Sequence, residues 1–87
     1  MRIVATYKIL YWQEIPTQIS VEDEFDTVTT MLDNRFMTLI DAQAMQEGLT
    51  ATDAFLDAWH WSEEQEREGS AHEVAAALKA EFEAKKW

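Results

Sequence analysis

Each of the two histidines has a carboxylate four residues away, His60 with Glu64 and His72 with Glu68. On a helix that spacing puts both side chains on one face, and two His–carboxylate pairs together could hold a metal ion. Gly69 separates the two pairs, however, and no spacing brings them to one place. Surface pairing accounts for each, so no metal site is expected. The run Glu22-Asp23-Glu24 with Asp26 offers oxygen ligands for calcium. It lacks the mid-loop glycine and closing glutamate of an EF-hand loop and reads as a charged turn. Ser20, Ser62 and Ser70 stand outside any nucleophile-elbow context, and the last two read as helix caps. Gly48 and Gly69 are the only glycines, too few for a phosphate-cradling loop. Acid/base chemistry by paired carboxylates needs one of them in an apolar pocket, and these read as exposed. Cysteine is absent, which excludes disulfides, thiolate catalysis and cysteine-based zinc sites and suits a reducing compartment. The expectation is a protein without catalytic residues, metal or cofactor, and not an enzyme.

The formal charge of −10 is unevenly spread. Between Arg35 and Arg67 there is no Lys or Arg, while Asp41, Glu47, Asp53, Asp57, Glu63, Glu64 and Glu66 fall in that window. Such a surface repels phosphate backbones and anionic lipid, so neither nucleic acid nor membrane is expected as a partner. It suits a basic protein partner, although a solvated face that aids solubility accounts for the same charges. The chain itself is expected to be a monomer or a weak homodimer. Residues Met1 to Lys8 carry no apolar signal-peptide core, and no stretch reaches the roughly 20 apolar residues of a membrane span. A cytoplasmic location is the corresponding expectation.

A chain of 87 residues is sized for a single domain, 1–87, with one core. Residues 3 to 12 alternate, with Ile3, Ala5, Tyr7, Ile9 and Tyr11 on one face, and Ile15, Thr17, Ile19 and Val21 continue the odd-numbered set. Period two predicts two strands. Pairing Tyr11 with Thr17, Ile9 with Ile19 and Tyr7 with Val21 keeps the apolar faces together, sets Trp12 opposite Pro16 and leaves Gln13-Glu14-Ile15 as the loop. Thr27 to Leu32 is β-branched enough for a third short strand. Asp33 then caps a helix striped by Phe36, Met37, Ile40 and Ala44, with Leu32 stapled onto Met37 and Gly48 at its end. Thr50 caps a second helix with Phe55, Leu56 and Trp59 inward. This helix either runs on through Trp61 or breaks at Ser62, where Ser62-Glu63-Glu64-Gln65 is itself a capping-box pattern. Ser70-Ala71-His72-Glu73 is a cleaner capping box, opening a last helix with Val74, Ala75, Leu78 and Phe82 inward and Lys85-Lys86 at its negative end. The predicted class is α+β: an antiparallel sheet of two to three strands (1–32), a helical pair (33–61) and a helical tail (62–87), three to four helices in all.

Tyr11-Trp12-Gln13-Glu14-Ile15-Pro16 concentrates two aromatics and the only proline at the first turn. On one reading Tyr11 packs in the core while Trp12 stacks on Pro16 and stiffens the turn. On the other, Trp12, Pro16 and nearby Arg35 form a partner-binding patch, since Trp and Arg are over-represented at interface hot spots.

Two resemblances bear on function. Thr27 to Trp59, read as strand, helix, Gly-Leu-Thr, helix, is similar to the ribbon–helix–helix fold of small DNA-binding repressors. That would aim Thr29 and Met31 at a major groove. Neither is a strong base reader, and the helices bring only Arg35 to the phosphates, so DNA binding is expected to be lost or altered. More specifically, Tyr11 to Gln18, then Leu32-x-x-Arg35-Phe36-x-x-x-Ile40-Asp41-x-x-Ala44-Met45, then Ala54-Phe55-Leu56-x-x-Trp59 resemble a small bacterial family known as "virulence factor", related to the conserved virulence factor C group. The strong part of that resemblance spans roughly residues 3 to 61, the acidic, Ala-rich tail following only in composition. It implies a non-enzymatic protein-interaction module, free-standing or within longer chains, with no catalytic residues. It also implies, as an alternative, an accessory subunit of a tetrahydrofolate- or corrinoid-dependent one-carbon methyl-transfer system. Relatives tend to be basic where this chain has Glu22-Asp23-Glu24-Phe25-Asp26, which counts against an anion-binding role for that loop here.

Overall fold

Alternation builds the first hairpin. In the computed structural model, which describes residues 3–85, β1 (Val4–Trp12) and β2 (Ile15–Glu22) run antiparallel. Tyr7 pairs with Val21 and Ile9 with Ile19, as the apolar parity requires. The pairing then shifts. Leu10 faces Gln18 but Tyr11 faces Pro16, so Thr17 is the extra residue of a β-bulge. Pro16 has no N–H to give a ladder, and a bulge is one of the few places an inner strand tolerates it. Because the bulge absorbs one residue, the turn shortens to Gln13-Glu14 and Trp12 pairs with Ile15 instead of Pro16. This corrects the three-residue loop. Gln13 adopts the left-handed φ of 53° that a tight hairpin demands. Its N–H donates to the Ala58 carbonyl (3.0 Å), and its side-chain amide donates to Glu47 (3.0 Å), which holds that conformation.

β3 (Thr27–Met31) pairs with β2, closed by a turn in which the Asp23 N–H donates to the Asp26 carbonyl at 2.9 Å. Residues Arg35–Gln46 form α1, which buries Phe36, Ile40 and Ala44 as the stripe predicts, and Gly48 ends it at φ 69°. The cap position is Asn34, without a side-chain cap bond, while Asp33 Oδ1 accepts from the Arg35 N–H (3.2 Å). Leu32 packs in the same cluster as Phe36, whereas Met37 joins a different one, so the expected Leu32–Met37 staple is replaced by a Leu32–Phe36 grouping. The following α2 (Asp53–Asp57) is barely longer than a turn and is capped by Thr52, not Thr50: the Thr52 Oγ accepts from the Phe55 N–H.

The largest departure from the sequence reading lies between residues 59 and 68. Neither a continued helix nor a break at Ser62 occurs. Trp59–Trp61 (β4) and Gln65–Glu68 (β5) both pair antiparallel with β1, on the edge that β2 leaves free. The physical reason is the ladder itself, because the second edge of β1 would otherwise carry a row of unpaired backbone groups. Ser62 bridges the gap in place of a cap. Its N–H donates to the Ile9 carbonyl (2.8 Å), and its Oγ accepts from the Ile9 N–H (2.9 Å). The register moves by one residue between Leu10–Trp61 and Tyr7–Gln65, so 59–68 behaves as a single bulged strand. The predicted division into a helical pair (33–61) and helical tail (62–87) is corrected accordingly.

The last helix, α3 (Ala71–Ala84), opens with the predicted Ser70/Glu73 capping box and buries Val74, Ala75 and Leu78, with Phe82 partly buried. Lys85 sits at its C-cap, while Lys86, like Met1 and Arg2, lies outside the described residues. The class is α+β as expected; among the described residues there are five strands, ordered β3-β2-β1 and then β4 and β5 on one edge, and three helices. Strands return after α2, so the ribbon–helix–helix arrangement is not the fold: β3 pairs within its own sheet, and its second helix is a single short turn. No helix among the described residues is long and apolar enough to cross a membrane.

α3 lies on one face of the sheet, where Ala5, Ile9, Ile19, Val21, Leu32 and Phe36 pack with its buried stripe. A second, smaller cluster sits at the hairpin end: Trp12, Ile40 and Ala44, joined by Ile15, Leu49, Phe55 and Trp59.

Candidate functional site

Of the three candidate partner-binding residues, two are inside the protein. Trp12 is 0 % exposed and Pro16 is among the fully buried side chains. The Trp12 indole N–H donates to the Phe55 carbonyl at 2.9 Å, its ring lies 5.4 Å from that of Phe55, and Phe55 meets Trp59 edge-on. Tyr11, expected in the core, is only half-buried and stacks on His60 at 5.8 Å. Tyr11 still keeps the Ile9 parity and packs from the edge against the α3-side cluster, because the bulge adds its extra residue to β2; Trp12 is buried because Ile40, Ala44, Phe55 and Trp59 close around it. Arg35 is exposed, but its guanidinium donates to the Glu83 carbonyl at the end of α3 and lies over the Phe36 ring. The structure therefore does not present Trp12, Pro16 and Arg35 as one surface. What it brings together around Trp12 are the three sequence blocks of the resemblance: Tyr11-Trp12, Ile40 with Ala44, and Phe55 with Trp59.

The metal and calcium readings find no support in the geometry either. His60 is on a strand, so the four-residue helical spacing to Glu64 does not apply, and its Nδ1 faces the Ala58 carbonyl (3.1 Å). Among the described residues no three His, Asp or Glu side chains are grouped to hold a metal ion. Asp23 has a different task, one that its sequence context concealed. Its Oδ1 accepts from the Phe25 and Asp26 N–H groups and its Oδ2 from the Ala71 N–H at the start of α3, each at 2.7 Å. Those backbone donors hold its carboxyl below the usual range. The acidic connector thus fastens one helix N-terminus to the β2–β3 turn, a use of negative charge that the helix dipole favours. Lys79 and Glu83 clamp the other end of α3: Lys79 donates to Glu83 (2.7 Å) and to the Met31 carbonyl (2.9 Å), and Glu83 accepts from the Asp33 N–H (2.9 Å).

The family model for "Virulence factor" matches residues 10–85. The chain belongs to the virulence factor family. No curated protein and no solved structure matches it. The match runs beyond the 3–61 span read from the sequence and takes in β5 and α3, which fits a domain whose core needs α3 over the sheet.

Two surfaces among the described residues of this virulence-factor domain bear on partner binding. One is a groove of about 270 Å³ beside α3, lined by Tyr7, Tyr11, Arg67, Leu78, Phe82 and Lys85. Both of its cations are engaged, Arg67 bonding Glu81 at 2.7 Å and Lys85 lying over the Phe82 ring, and burial followed by the nearby Tyr7 raises the Tyr11 pKa. The other is the sheet face turned away from α3. Thr6, Lys8, Leu10, Gln18 and Ser20 of β1 and β2 are all half-buried there, none belonging to either core cluster. Met31 and Trp61 on the flanking strands are 55 % and 42 % exposed. Lys8 Nζ lies 4.8 Å from the centre of the Trp61 ring, a cation–π pair in the middle of the face. Glu22, Glu64, Glu66 and Glu68, all exposed, surround it. What this face offers is an exposed aromatic beside a cation, inside a rim of carboxylates.

Proposed function

We propose that this virulence-factor domain is a non-catalytic protein-interaction module, and that it receives its partner on the open sheet face. The observation that carries the reading is the Trp61–Lys8–Leu10 surface, a large aromatic held across from Leu10 on a paired strand and 42 % exposed. Exposed Trp on a rigid element contributes much contact area at small entropy cost. The ring of glutamates and the chain's net charge of −10 suit a partner with an apolar centre and a basic rim. Arg35 fits the reading only as the tie between α1 and α3, and Trp12 and Pro16 only as the packing that keeps the hairpin end rigid. The deciding experiment compares captures from the native host by the wild type, Trp61→Ala and the double variant Glu66→Lys/Glu68→Lys. A basic protein retained by the wild type and lost by both variants, with their unfolding midpoints preserved, is the expected result. Captures that are the same for all three would remove the face from the reading.

A further inference from the structure

The two edges of the sheet are built differently, and the difference points to a second copy of the chain. The β4/β5 edge is bulged at Ser62–Glu64 and carries Glu66 and Glu68, both devices that discourage further strand pairing. The β3 edge, Thr27-Val28-Thr29-Thr30-Met31, has no charged residue of its own, no proline and no bulge, and pairs with β2 in unbroken register, Lys79 of α3 reaching only its last carbonyl. Bonds from the Asp23 N–H to the Asp26 carbonyl and from the Leu32 N–H to the Thr17 carbonyl fix which pairs are hydrogen-bonded: the alternate ones, Val21–Val28 and Ile19–Thr30 among them. The N–H and C=O groups of Thr27, Thr29 and Met31 therefore point outward. Lys79 reaching round to the Met31 carbonyl at 2.9 Å agrees with this.

We propose that this edge pairs antiparallel with the same edge of a second copy, about a two-fold axis at Thr29. The outward groups are symmetric about that residue, so Thr29 would exchange both bonds with its counterpart, while Thr27 would pair with Met31 of the other copy, whose carbonyl has a second lone pair beside the one Lys79 uses. An isologous contact requires this self-complementarity. The β3 strand itself is uncharged, its acidic flanks Glu24, Asp26 and Asp33 lying beyond its ends. The acidic edge lies three strands away, about 14 Å at the spacing of a sheet, beyond the screening length of about 8 Å at physiological salt. Joining the β3 edges puts the two acidic edges at opposite ends of a continuous sheet. It also sets Asp26, next to Thr27, across from Lys79, which uses two of its three donors on Met31 and Glu83. The proposed partner face is left free by this pairing and continues across both copies, so the inference does not depend on that reading.

Sedimentation equilibrium of the full chain from micromolar to millimolar concentration, with amide exchange followed by NMR, tests the pairing. A reversible dimer is expected, with new protection at Thr27, Thr29 and Met31, whereas Val28 and Thr30 are already protected by β2. Thr29→Pro removes an outward N–H without breaking the β2 ladder, and Thr29→Lys puts like charges across the axis. Each should raise the dissociation constant at least ~10-fold, a change of about 1.4 kcal/mol, while leaving the circular dichroism unchanged. A strict monomer at millimolar concentration overturns the proposal, as does a dimer indifferent to both substitutions. So does a monomer whose Thr27, Thr29 and Met31 amides become protected only by an added alternating Lys/Val peptide, because the edge then serves a foreign strand.

Discussion

The α3 side of the sheet and the hairpin end are both hydrophobic clusters, yet they are organised on different logic. On the α3 side, Ile9, Ile19 and Val21 face Val74, Ala75 and Leu78, and every member follows from a period of two on the strands or 3.6 on the helix. At the hairpin end, a single residue of the wrong parity, Trp12, is the centre, and α1, α2 and β4 supply its surroundings from three separate places. Periodic surfaces are additive, so any one residue can shrink at limited cost. A cluster around one indole is keyed to that side chain and to the Ile40, Ala44, Phe55 and Trp59 groups that close around it.

The sharpest test is Trp12→Ala. It should destabilise by about 4 kcal/mol, the range for deleting a fully buried aromatic, measured by urea unfolding. Tyr11→Ala, half-buried and stacked on His60, should cost about 1–2 kcal/mol, as for ordinary partly exposed substitutions. If Tyr11→Ala proved the more damaging of the two, the hairpin end would not be organised around the indole. On the α3 side, Leu78→Ala should cost about 3 kcal/mol. If Trp12→Ala melted only the hairpin end while the α3 layer kept its amide protection, the two clusters would be separable units, not one cooperative core.

The α3 layer was largely legible in the sequence. The first two strands, the β3 segment, the Phe36–Ile40–Ala44 stripe, Gly48 and the Ser70 capping box all follow from local spacing. The hairpin end was not, because a β-bulge leaves no signature in an alternating sequence: Tyr11 and Trp12 look the same whether the turn takes two residues or three. Residues 59–68 failed for a related reason. Ser62-Glu63-Glu64-Gln65 satisfies a helix-start pattern, and only the demand of the β1 edge for partners overrides it, which is a long-range fact. The alternation in Trp59-His60-Trp61 was the one local sign of a strand. The partner-binding candidates fell because residues of α1, α2 and β4 close over Trp12, a long-range fact, and Trp61, the exposed member of the same aromatic run, went unmarked.

Ser62 allows the override itself to be tested at smaller amplitude. Ser62→Ala leaves the Ile9 N–H without its side-chain acceptor and should cost about 1 kcal/mol, with faster amide exchange at Ile9 than elsewhere on β1. Unchanged exchange at Ile9 would mean that the ladder holds β4 and β5 to β1 without the serine.

The smallest effect is expected at Asp23, where the comparison shifts from packing to charge. Its folded pKa is depressed by three backbone donors, those of Ala71, Asp26 and Phe25 in that order. A carboxyl of this kind adds stability above its unfolded pKa, near 3.8, and loses it as pH falls through the lower folded value. Glu47, Glu81 and Glu83 are lowered too, each by side-chain hydrogen bonds first, so the wild type should lose stability on acidification through several groups at once. Asp23→Asn isolates one of them. The variant should be slightly less stable at neutral pH, and the gap from wild type should narrow as pH drops below about 4, the range in which an unfolded Asp titrates. Urea unfolding of both proteins between pH 7 and pH 3 reads that gap directly. A gap that stays constant would show that Asp23 acts through the shape of the β2–β3 turn and not through its charge on the α3 N-terminus.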